Sequence, residues 1–312
     1  MAGKLISILR LLRVKQYYKN SLIFVAAFFG EMILNISLWP ILILGFILAC
    51  CASSINYIVN DIIDIEKDKS HPEKSKKRPL ASGDLSKGFA FILLTILVFF
   101  IVLCLIFIIP NLLFGLMLLL IIVIGQLYNF IFKKYAFVDI ISLSIIYIIR
   151  AIAGCFLIEV FISPWLFLAI FLIALFLVIC KRNADLILMG EENASKHKRV
   201  YDQYSKKLLE EFHILVASSL FMTYSLYIIL GPFNLLKVEN IKLHQYSSVL
   251  TIPVALYLIL KYMYLLRANP KIARNPVKAF FDKGIIISGI IILILMFIAF
   301  YWDSVLEIFG LI

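Results

Sequence analysis

The sequence has little charge and little histidine, and its charge is crowded into a few stretches between apolar runs. Charged residues make up 16% of its 312 residues, four residues are histidine, and the hydrophobic fraction is 63%. Soluble domains contain roughly 45–50% apolar residues. The apolar excess and a mean hydropathy of +1.03 therefore exclude a soluble protein and predict an integral membrane protein. Neither a separate soluble domain nor a low-complexity tract is visible.

The sequence also lacks the cysteine patterns of a metal site or a disulfide framework. The five cysteines lie within or at the edge of apolar segments, and we interpret them as small packing residues. They are Cys50, Cys51, Cys104, Cys155 and Cys180. No signal peptide is visible, because the basic start leads into an apolar run without a small-residue cleavage site. The net charge of +11 is concentrated in loops and requires no nucleic acid partner.

Long apolar segments predict the transmembrane architecture. With a window of about 19 residues, nine spans are found at roughly 20–39, 40–60, 88–109, 111–132, 136–158, 164–181, 209–231, 246–266 and 284–302. Proline stands at several junctions, where one helix should end and the next begin. The sequence therefore predicts an all-α integral membrane protein with about nine transmembrane helices, in a single polytopic domain over residues 1–312.

Basic residues are concentrated in alternate connections between the predicted spans. These connections are 1–19, 61–87, 133–134, 181–207 and 267–283. By the positive-inside rule, the N-terminus and all basic loops face the cytoplasm, and the C-terminus lies outside. We therefore expect a multi-pass protein of the cell membrane whose active-site loops, about 61–87 and 181–207, are cytoplasmic.

One acidic stretch carries the most distinctive chemistry. It reads NDIIDIEKDKSHPEKSKKRPLASG from residue 60 to residue 83, and Asn60, Asp61, Asp64 and Asp68 follow spacings of three and four. These spacings place the side chains on one face of a helix. Clustered carboxylates repel each other unless a cation binds, and Mg²⁺ takes such oxygen ligands together with substrate phosphates. The four residues are therefore candidate metal ligands.

Basic residues follow the acidic ones in the same stretch. His71-Pro72 and Arg78-Pro79 prevent the helix from continuing. The positive loop that results consists of Lys74, Lys76, Lys77 and Arg78. Acidic residues for a metal and basic residues for phosphate predict a diphosphate site. The alternative is a solvated loop whose charges neutralise one another, and the spacing and location favour the diphosphate site.

Polar residues also lie at or within other spans. Lys19 and Asn20, at the mouth of the first span, either reach an anionic lipid head group or belong to an amphipathic lead-in on the lipid surface. Asp139 and Arg150 are eleven residues apart and share one helix face. Because Arg150 would lie well inside the bilayer, it should face the bundle interior and have a partner. Whether this pair is structural or functional stays open.

Two further cytoplasmic edges carry candidate residues. Gln126, Asn129 and Lys133 share a face near Tyr128, a pattern that ordinary membrane anchors also produce. The loop after the sixth span begins with KRNAD and offers more cations than carboxylates, which suits phosphate better than a second metal. Its candidates are Lys181, Arg182, Asp185, Lys196, Lys198, Arg199, Tyr201 and Tyr204.

Four of these stretches together resemble a known family. They are LRLLRVKQYYKN, the NDIIDIEKD stretch with its continuation, YNFIFKKYAFVDIISLSIIYIIRAIAG and KRNADL. The chain is similar to the UbiA superfamily of intramembrane prenyltransferases, in which nine helices surround a central cavity, and NDIIDIEKD resembles the NDxxDxxxD motif of that superfamily. Within it the chain most resembles the decaprenyl-phosphate phosphoribosyltransferase branch. Ordinary members carry a second acidic DxxxD set, where this sequence has only Asp185.

The resemblance implies Mg²⁺-dependent transfer of 5-phosphoribose from phosphoribosyl diphosphate to a polyprenyl phosphate. Asp61, Asp64 and Asp68 would be catalytic and, with Asn60, would hold the metal. The substrate-binding residues would be Lys19, Asn20, Asn60, Arg78, Tyr128, Lys133, Lys134, Lys181, Arg182, Asp185, Arg199 and Tyr201. Among these, Lys181, Arg182 and Arg199 would form the pocket for the 5-phosphate. No general base is required, because a lipid phosphate is already ionised.

Two alternatives remain at this point. A prenyltransferase that moves a prenyl group from prenyl diphosphate to an aromatic acceptor, such as 4-hydroxybenzoate, or to a glycerol-phosphate or other acceptor shares the fold and the first motif. A transporter would bind charged cargo near the midplane, whereas this chain keeps nearly all its charge at one membrane edge. Polyprenyl chain length is not evident from the sequence, and a homo-oligomer is compatible with it.

Overall fold

Helices form all the regular structure in the part of the chain that the computed structural model describes, residues 2–69, 74–161, 163–190, 199–232, 235 and 242–310. The α-helices are α1 Ala2–Leu11, α2 Phe24–Phe29, α3 Trp39–Ile63, α4 Ile65–Lys69, α5 Lys74–Lys77, α6 Pro79–Ser82, α7 Lys87–Phe107, α8 Leu112–Phe130, α9 Val138–Ile158, α10 Pro164–Met189, α11 Lys206–Leu230, α12 Thr251–Ala268, α13 Pro270–Ala273, α14 Pro276–Ala279 and α15 Lys283–Ile308. Short 3₁₀ helices occupy Val14–Ile23, Ile36–Leu38, Phe132–Lys134, Arg199–Gln203 and Leu243–Ser248.

Eight helical stretches of the described residues are long and apolar enough to cross a membrane. They are Ile36–Ile63, Lys87–Phe107, Leu112–Lys134, Val138–Ile158, Pro164–Met189, Lys206–Leu230, Leu243–Ala268 and Lys283–Ile308. A crossing requires about 20 predominantly apolar residues. The protein is therefore a multi-pass, all-α membrane protein, as predicted.

The segment before α3 differs from the span predicted at 20–39. A 3₁₀ helix, Val14–Ile23, continues directly into α2, which ends before Gly30. Glu31 then has a φ of 57°, a left-handed conformation that interrupts the helix. Since a 3₁₀ helix rises about 2.0 Å and an α-helix about 1.5 Å per residue, residues 14–29 extend on the order of 29 Å, close to the roughly 30 Å hydrocarbon core. A ninth crossing depends on this shorter segment.

Polar side chains and proline mark where the long helices begin. Ser86 accepts a hydrogen bond from the backbone N–H of Phe89 at 3.1 Å, and Asn111 accepts one from Phe114 at 2.9 Å. These caps satisfy backbone donors that a first helical turn leaves unpaired. Pro164 opens α10, where its missing N–H costs no hydrogen bond.

The acidic stretch is not the single helix that its spacing predicted. α3 ends one residue before Asp64, whose φ and ψ of −89° and 8° are not helical, and α4 begins one residue after it. The backbone N–H of Asp68 nevertheless donates to the Asp64 carbonyl at 2.8 Å. Because the turn is kept, Asp61 and Asp68 are both buried, whereas Glu66 is exposed.

The chain forms two compact units, each with its own core. The first contains Met1–Phe132 and Ile146–Phe161. In this unit α3 packs against α7 and α8, and one cluster of buried side chains joins α1 and α3 to α6 and to the start of α7. The members of this cluster are Leu11, Ile58, Leu80, Leu85 and Ala90. The acidic stretch therefore lies on a packed base.

The second unit contains Lys133–Ile145 and Ile162–Ile312. Here α10 packs against α11, and α12 packs against α15. Its core includes Phe176 and Ile179 from α10, Leu209 from α11 and Tyr262 from α12. The prediction of one polytopic domain stays a prediction.

Candidate active site

Asp61, in the last turn of α3, accepts hydrogen bonds from two arginines. The exposed fraction of Asp61 is 2%. Its Oδ1 accepts a hydrogen bond from Arg13 Nη2 at 2.6 Å and another from Arg78 Nη1. Hydrogen bonds between ionised groups are roughly twice as strong as neutral ones. The two arginines therefore fix the orientation of this carboxylate.

Arg78 connects Asp61 to Asp68. Its Nε lies 3.7 Å from Asp68 Oδ2. Arg78 has an extended backbone, with φ −93° and ψ 116°, because Pro79 follows it and disfavours the helical conformation. Burial and the nearby positive charge of Arg13 lower the pKa of the Arg78 guanidinium to about 10. At neutral pH this side chain therefore still carries its charge.

Arg13 is a member of this cluster that the sequence did not single out. It follows α1 with a left-handed backbone, φ 53° and ψ 46°. Its guanidinium lies 4.6 Å from the centre of the Tyr57 ring, a cation–π contact, in addition to its bond with Asp61. Burial lowers the pKa of Arg13. The sequence marked Arg13 only as part of a basic lead-in, and no local pattern predicts a left-handed arginine.

The acidic cluster fits a divalent cation that shares its ligands with substrate. Asp61 Oδ2 is buried and has no hydrogen-bond partner among the described residues. Asp64 and Asn60 are half-buried beside it. No group of three His, Cys, Asp or Glu side chains in the described part of the chain can hold a metal ion by itself. Mg²⁺ commonly uses one or two carboxylates and completes its shell with water and phosphate oxygens, which matches Asp61 and Asp68.

A second polar cluster lies deeper in the first unit. Asn20 is 1% exposed, so the structure buries this residue, although the sequence placed it at the mouth of a span. Its Oδ1 accepts hydrogen bonds from Arg150 Nε at 2.7 Å and from Ser53 Oγ at 3.1 Å. Its Nδ2 contacts Cys50 Sγ at 3.2 Å. The partner of Arg150 that the sequence required is thus an amide, together with a hydroxyl.

An amide cluster joins α3 to α8. Asn56 Nδ2 donates to the Ile121 carbonyl at 2.9 Å, and Asn56 Oδ1 accepts from Gln126 Nε2 at 2.6 Å. Asn129 Nδ2 donates to the backbone carbonyl of Asn56 at 3.3 Å. The sequence grouped Gln126 and Asn129 but missed Asn56, because that residue lies within an apolar span.

In the second unit, Asp139 is fully buried and bound by two donors. Arg182 Nε lies 3.0 Å from its Oδ2, and the Tyr204 hydroxyl donates to its Oδ1 at 2.6 Å. Burial, followed by the charge of Asp139, raises the pKa of Tyr204, which therefore remains a donor. Asp139 and Arg150 lie on one helix, as predicted, but each has its partners within its own unit.

Asp185 is the second buried carboxylate of this unit. The Tyr201 hydroxyl donates to its Oδ2 at 2.5 Å. Arg274 Nε approaches its Oδ1 as an ion pair that lacks hydrogen-bond geometry. Burial raises the pKa of Tyr201 as well. Arg274 lies between α13 and α14, so the structure links this segment to Asp185.

The remaining predicted site residues are less buried. Lys134 and Lys181 are exposed, and Lys19, Tyr128 and Lys133 are half-buried. The side chain of Arg199 lies outside the described residues, as do His71 and Pro72 of the acidic stretch and Lys196 and Lys198 of the later loop. The assignment of all these residues to substrate stays a prediction.

Comparison with known proteins identifies the family of this chain. A family model described as UbiA prenyltransferase family matches residues 22–301. A curated relative from Mycobacterium tuberculosis (strain CDC 1551 / Oshkosh), named decaprenyl-phosphate phosphoribosyltransferase, is 28% identical over 236 residues, which cover 72% of this chain and 75% of the relative. A relative of the same name from Corynebacterium glutamicum is 29% identical over 233 residues, covering 70% and 66% respectively.

Solved structures show the same fold. A UbiA homolog from Archaeoglobus fulgidus bound to GPP and Mg²⁺ has a TM-score of 0.65 at 17% identity, covering 96% of this chain and 99% of the homolog. A structure of digeranylgeranylglyceryl phosphate synthase has a TM-score of 0.64 at 19% identity, covering 95% and 98%. Since the family model spans nearly the whole chain, this protein belongs to the UbiA prenyltransferase family and is a membrane transferase.

Proposed function

We propose that this protein transfers 5-phosphoribose from phosphoribosyl diphosphate to a polyprenyl phosphate and releases diphosphate, with Mg²⁺ as its cofactor. The observation that supports this chemistry best is the cluster in which Arg13 and Arg78 contact Asp61 and Arg78 reaches Asp68. The relatives named decaprenyl-phosphate phosphoribosyltransferase support the choice of substrates.

The bond changes explain why arginines and carboxylates are sufficient. The bond between C1 of the ribose and a diphosphate oxygen breaks, and the diphosphate leaves with the electron pair. An oxygen of the lipid phosphate forms the new bond to C1. This oxygen is already ionised at neutral pH, so no general base has to remove a proton. Accordingly, the partners of Asp61 in the described structure are arginines.

A metal ion held by carboxylates and two arginines would bind the leaving diphosphate. Mg²⁺, when bound, supplies a Lewis acid that neutralises the leaving group. We propose that Asp61 and Asp68 hold it, with Asp64 and Asn60 beside them. Arg13 and Arg78 would orient the diphosphate oxygens, because the planar guanidinium matches the spacing of two phosphate oxygens.

The residues of the second unit are unequal candidates for the 5-phosphate. Arg182 is 3% exposed and is paired with Asp139. Lys181, by contrast, is exposed. Removing Arg182 from its partner would leave a buried carboxylate unpaired, which is costly. We therefore favour Lys181 over Arg182 as the residue that contacts this phosphate.

A prenyl transfer to an aromatic acceptor is the second candidate function. A solved relative bound to GPP and Mg²⁺ favours it. A second metal on the prenyl diphosphate would need more carboxylate oxygens, but those of Asp185 already face Tyr201 and Arg274. This arrangement favours the phosphoribosyl transfer.

One comparison of substrates tests the proposed function. Purified full-length protein would receive phosphoribosyl diphosphate with polyprenyl phosphate in one reaction, and prenyl diphosphate with 4-hydroxybenzoate in another. Mg²⁺ would be present, and a parallel sample would contain a chelator. We expect phosphoribosylated lipid only in the first reaction and only with Mg²⁺. A prenylated aromatic acid without phosphoribosyl transfer would replace the proposal with the second candidate.

A further inference from the structure

Arg150 is a charged side chain in the interior of the first unit. It follows the first residue of α9, Val138, by twelve residues, about 18 Å along the helix axis. Its exposed fraction is 6%. A guanidinium keeps its charge in proteins, and a charge inside a bilayer is costly unless something compensates it.

The contacts of Arg150 in the described structure are all neutral. Its Nε donates to Asn20 Oδ1 at 2.7 Å, its Nη2 to Ser53 Oγ at 3.4 Å and its Nη1 to the Ile146 carbonyl at 3.3 Å. The guanidinium also lies 5.3 Å from the centre of the Tyr147 ring. These contacts solvate the group but leave its positive charge uncompensated.

Arg150 differs in this respect from Arg182, the other buried arginine of the described residues, and from the partly buried ones. Arg13 and Arg78 pair with Asp61, Arg182 pairs with Asp139, and Arg274 pairs with Asp185. The remaining arginines whose side chains are described, Arg10 and Arg267, are exposed to solvent. Within the described residues, Arg150 is thus the one buried arginine without a carboxylate.

The contacts of Arg150 leave two of its N–H donors available to a ligand. A guanidinium has five N–H donors, and three are used, by Asn20, Ser53 and Ile146. One N–H on each terminal nitrogen is left. Two donors on adjacent nitrogens are the fork that binds two oxygens of a phosphate. Asn20 Oδ1 holds the fork in place, since it also accepts from Ser53.

We propose that Arg150 binds the phosphate monoester of the acceptor lipid. This inference rests on the proposed function and adds the site where the acceptor's charged group is held. A lipid is the occupant that fits, because α9 crosses the membrane and the neighbours Ile146, Ile149 and Ala151 are buried and apolar. The phosphate supplies the negative charge that the described protein side chains do not.

This site is separate from the acidic cluster. Ser53 and Asp61 both lie on α3, eight residues apart, which is about 12 Å along the helix. Arg150 contacts the first of these residues, whereas Arg13 and Arg78 contact the second. The donor's diphosphate and the acceptor's phosphate therefore have distinct cationic partners within one unit.

Binding measured without turnover tests this assignment. The probe is farnesyl phosphate, titrated into purified full-length protein without a sugar donor, with farnesol and inorganic phosphate as comparison ligands. The variants are Arg150→Gln, which removes the charge, Arg150→Lys, which keeps the charge without the fork, and Arg267→Gln, a matched exposed control. Melting temperature is measured for each variant.

We expect Arg150→Gln to weaken farnesyl phosphate binding at least tenfold and Arg150→Lys to weaken it by an intermediate factor. Farnesol binding and the melting temperature should change little, and Arg267→Gln should behave as wild type. In turnover, the KM for polyprenyl phosphate should rise while the KM for phosphoribosyl diphosphate stays within about twofold. If Arg150→Gln does not purify, Arg150→Lys carries the test.

Several results would overturn the assignment. One is unchanged farnesyl phosphate binding in a folded Arg150 variant. Another is an Arg150-dependence that appears with inorganic phosphate or with phosphoribosyl diphosphate in place of the lipid, because it would assign the site to a soluble phosphate. If wild type transfers phosphoribose and Arg150→Gln has an unchanged KM for polyprenyl phosphate, this inference is wrong and the proposed function stands. Arg150-dependent farnesyl phosphate binding without any phosphoribosyl transfer would instead sink the proposed function and leave the site standing.

Discussion

At the residue scale, the two oxygens of Asp61 have different surroundings. Oδ1 meets Arg13 and Arg78, whereas Oδ2 is buried and has no hydrogen-bond partner among the described residues. A buried acceptor left unpaired costs about 1–3 kcal/mol, and such atoms in native proteins call for an explanation. A bound cation would provide one, since Mg²⁺ prefers carboxylate oxygens.

Replacing Asp61 by Asn should therefore abolish catalysis while the protein still folds. The substitution keeps the shape of the side chain but removes the charge that binds the metal, so we expect turnover to fall at least 100-fold. Turnover would be measured against Mg²⁺ concentration, with melting temperature recorded in parallel. Glu66→Gln is the matched control, because Glu66 is exposed and forms an ion pair with exposed Lys69. Near wild-type activity of Asp61→Asn in the presence of a chelator would refute the metal assignment.

The second prediction concerns Arg78, because its guanidinium contacts two carboxylates, Asp61 and Asp68. Lysine at this position keeps the charge but has a single nitrogen, which cannot contact Asp61 and Asp68 in the same way. We expect Arg78→Lys to lower kcat/KM for phosphoribosyl diphosphate by roughly tenfold or more, the loss of one charge-assisted contact worth about 1.5–3 kcal/mol. Steady-state kinetics would measure it, with Arg267→Lys, the same substitution at an exposed arginine, as the control. Equal kinetics for Arg78→Lys and wild type would show that the bridge is not needed.

The residues of this cluster were not equally predictable from the sequence. Asp61 and Asp68 follow from helical spacing, and the extended conformation of Arg78 follows from the proline after it. Arg13 reaches Asp61 across 48 positions of the chain and depends on a left-handed backbone in a residue other than glycine. Neither property leaves a local pattern, so long-range partners of this kind were missed.

At the element scale, the approach of α8 to α3 depends on a glycine. A Cβ added to Gly125 would lie 2.1 Å from Asn56 Nδ2 and 2.4 Å from its Cγ. The Asn56 side chain cannot easily move, because it is hydrogen-bonded to Ile121 and Gln126. The amide cluster between the two helices therefore requires a residue without a side chain at position 125.

Gly125→Ala should consequently destabilise the protein by about 1–3 kcal/mol, the usual cost of overpacking a filled interior. Thermal unfolding in detergent would report it as a lower melting temperature. Gly115→Ala on the same helix is the control, since its Cβ would meet Leu105 Cδ1 at 3.4 Å, an ordinary contact distance. A melting temperature for Gly125→Ala equal to that of Gly115→Ala would contradict the packing described for Asn56.

Helix boundaries were predicted where proline marks them and missed where the backbone alone sets them. Pro164 begins a helix in the structure, as its place at a junction suggested, whereas the caps at Ser86 and Asn111 were not predicted. The interruption at Asp64 and the 3₁₀ geometry of Val14–Ile23 have no comparable signal. Spacing rules assume an ideal helix, so they grouped the carboxylates correctly but described their helix as continuous.

At the scale of the whole molecule, composition was sufficient for the fold class. Apolar runs of span length predicted a multi-pass helical protein because backbone polar groups in lipid must be bonded within a helix. The same apolar composition gives no signal for helix packing. Almost every side chain of a span is apolar, so the sequence pattern does not show which faces contact each other. That is why the partners of Asp139 and Arg150 could not be assigned from their shared helix face.

The orientation of the spans remains a prediction. The segment 14–29 allows a direct test of it, because whether this segment crosses the membrane sets the side on which the N-terminus lies. If this segment crosses the membrane, the residues before it lie on the side opposite to Ser37. We expect the N-terminal helix and the basic loop to be cytoplasmic. Single cysteines at Lys4 and Lys76 should then react with an impermeant thiol reagent only from the cytoplasmic side, and one at Ser37 only from outside. The native cysteines would be replaced beforehand, and four of them are buried.

The three labels separate three outcomes. Because α3 joins Ser37 to the acidic stretch, labelling of Lys76→Cys and Ser37→Cys from opposite sides would confirm that α3 crosses the membrane. Labelling of Lys4→Cys from the same side as Ser37→Cys would show that residues 14–29 do not cross, which would leave eight spans. Labelling of Lys76→Cys from outside would place the acidic cluster in the wrong compartment for a cytoplasmic sugar diphosphate, and the proposed function would then fail with the orientation.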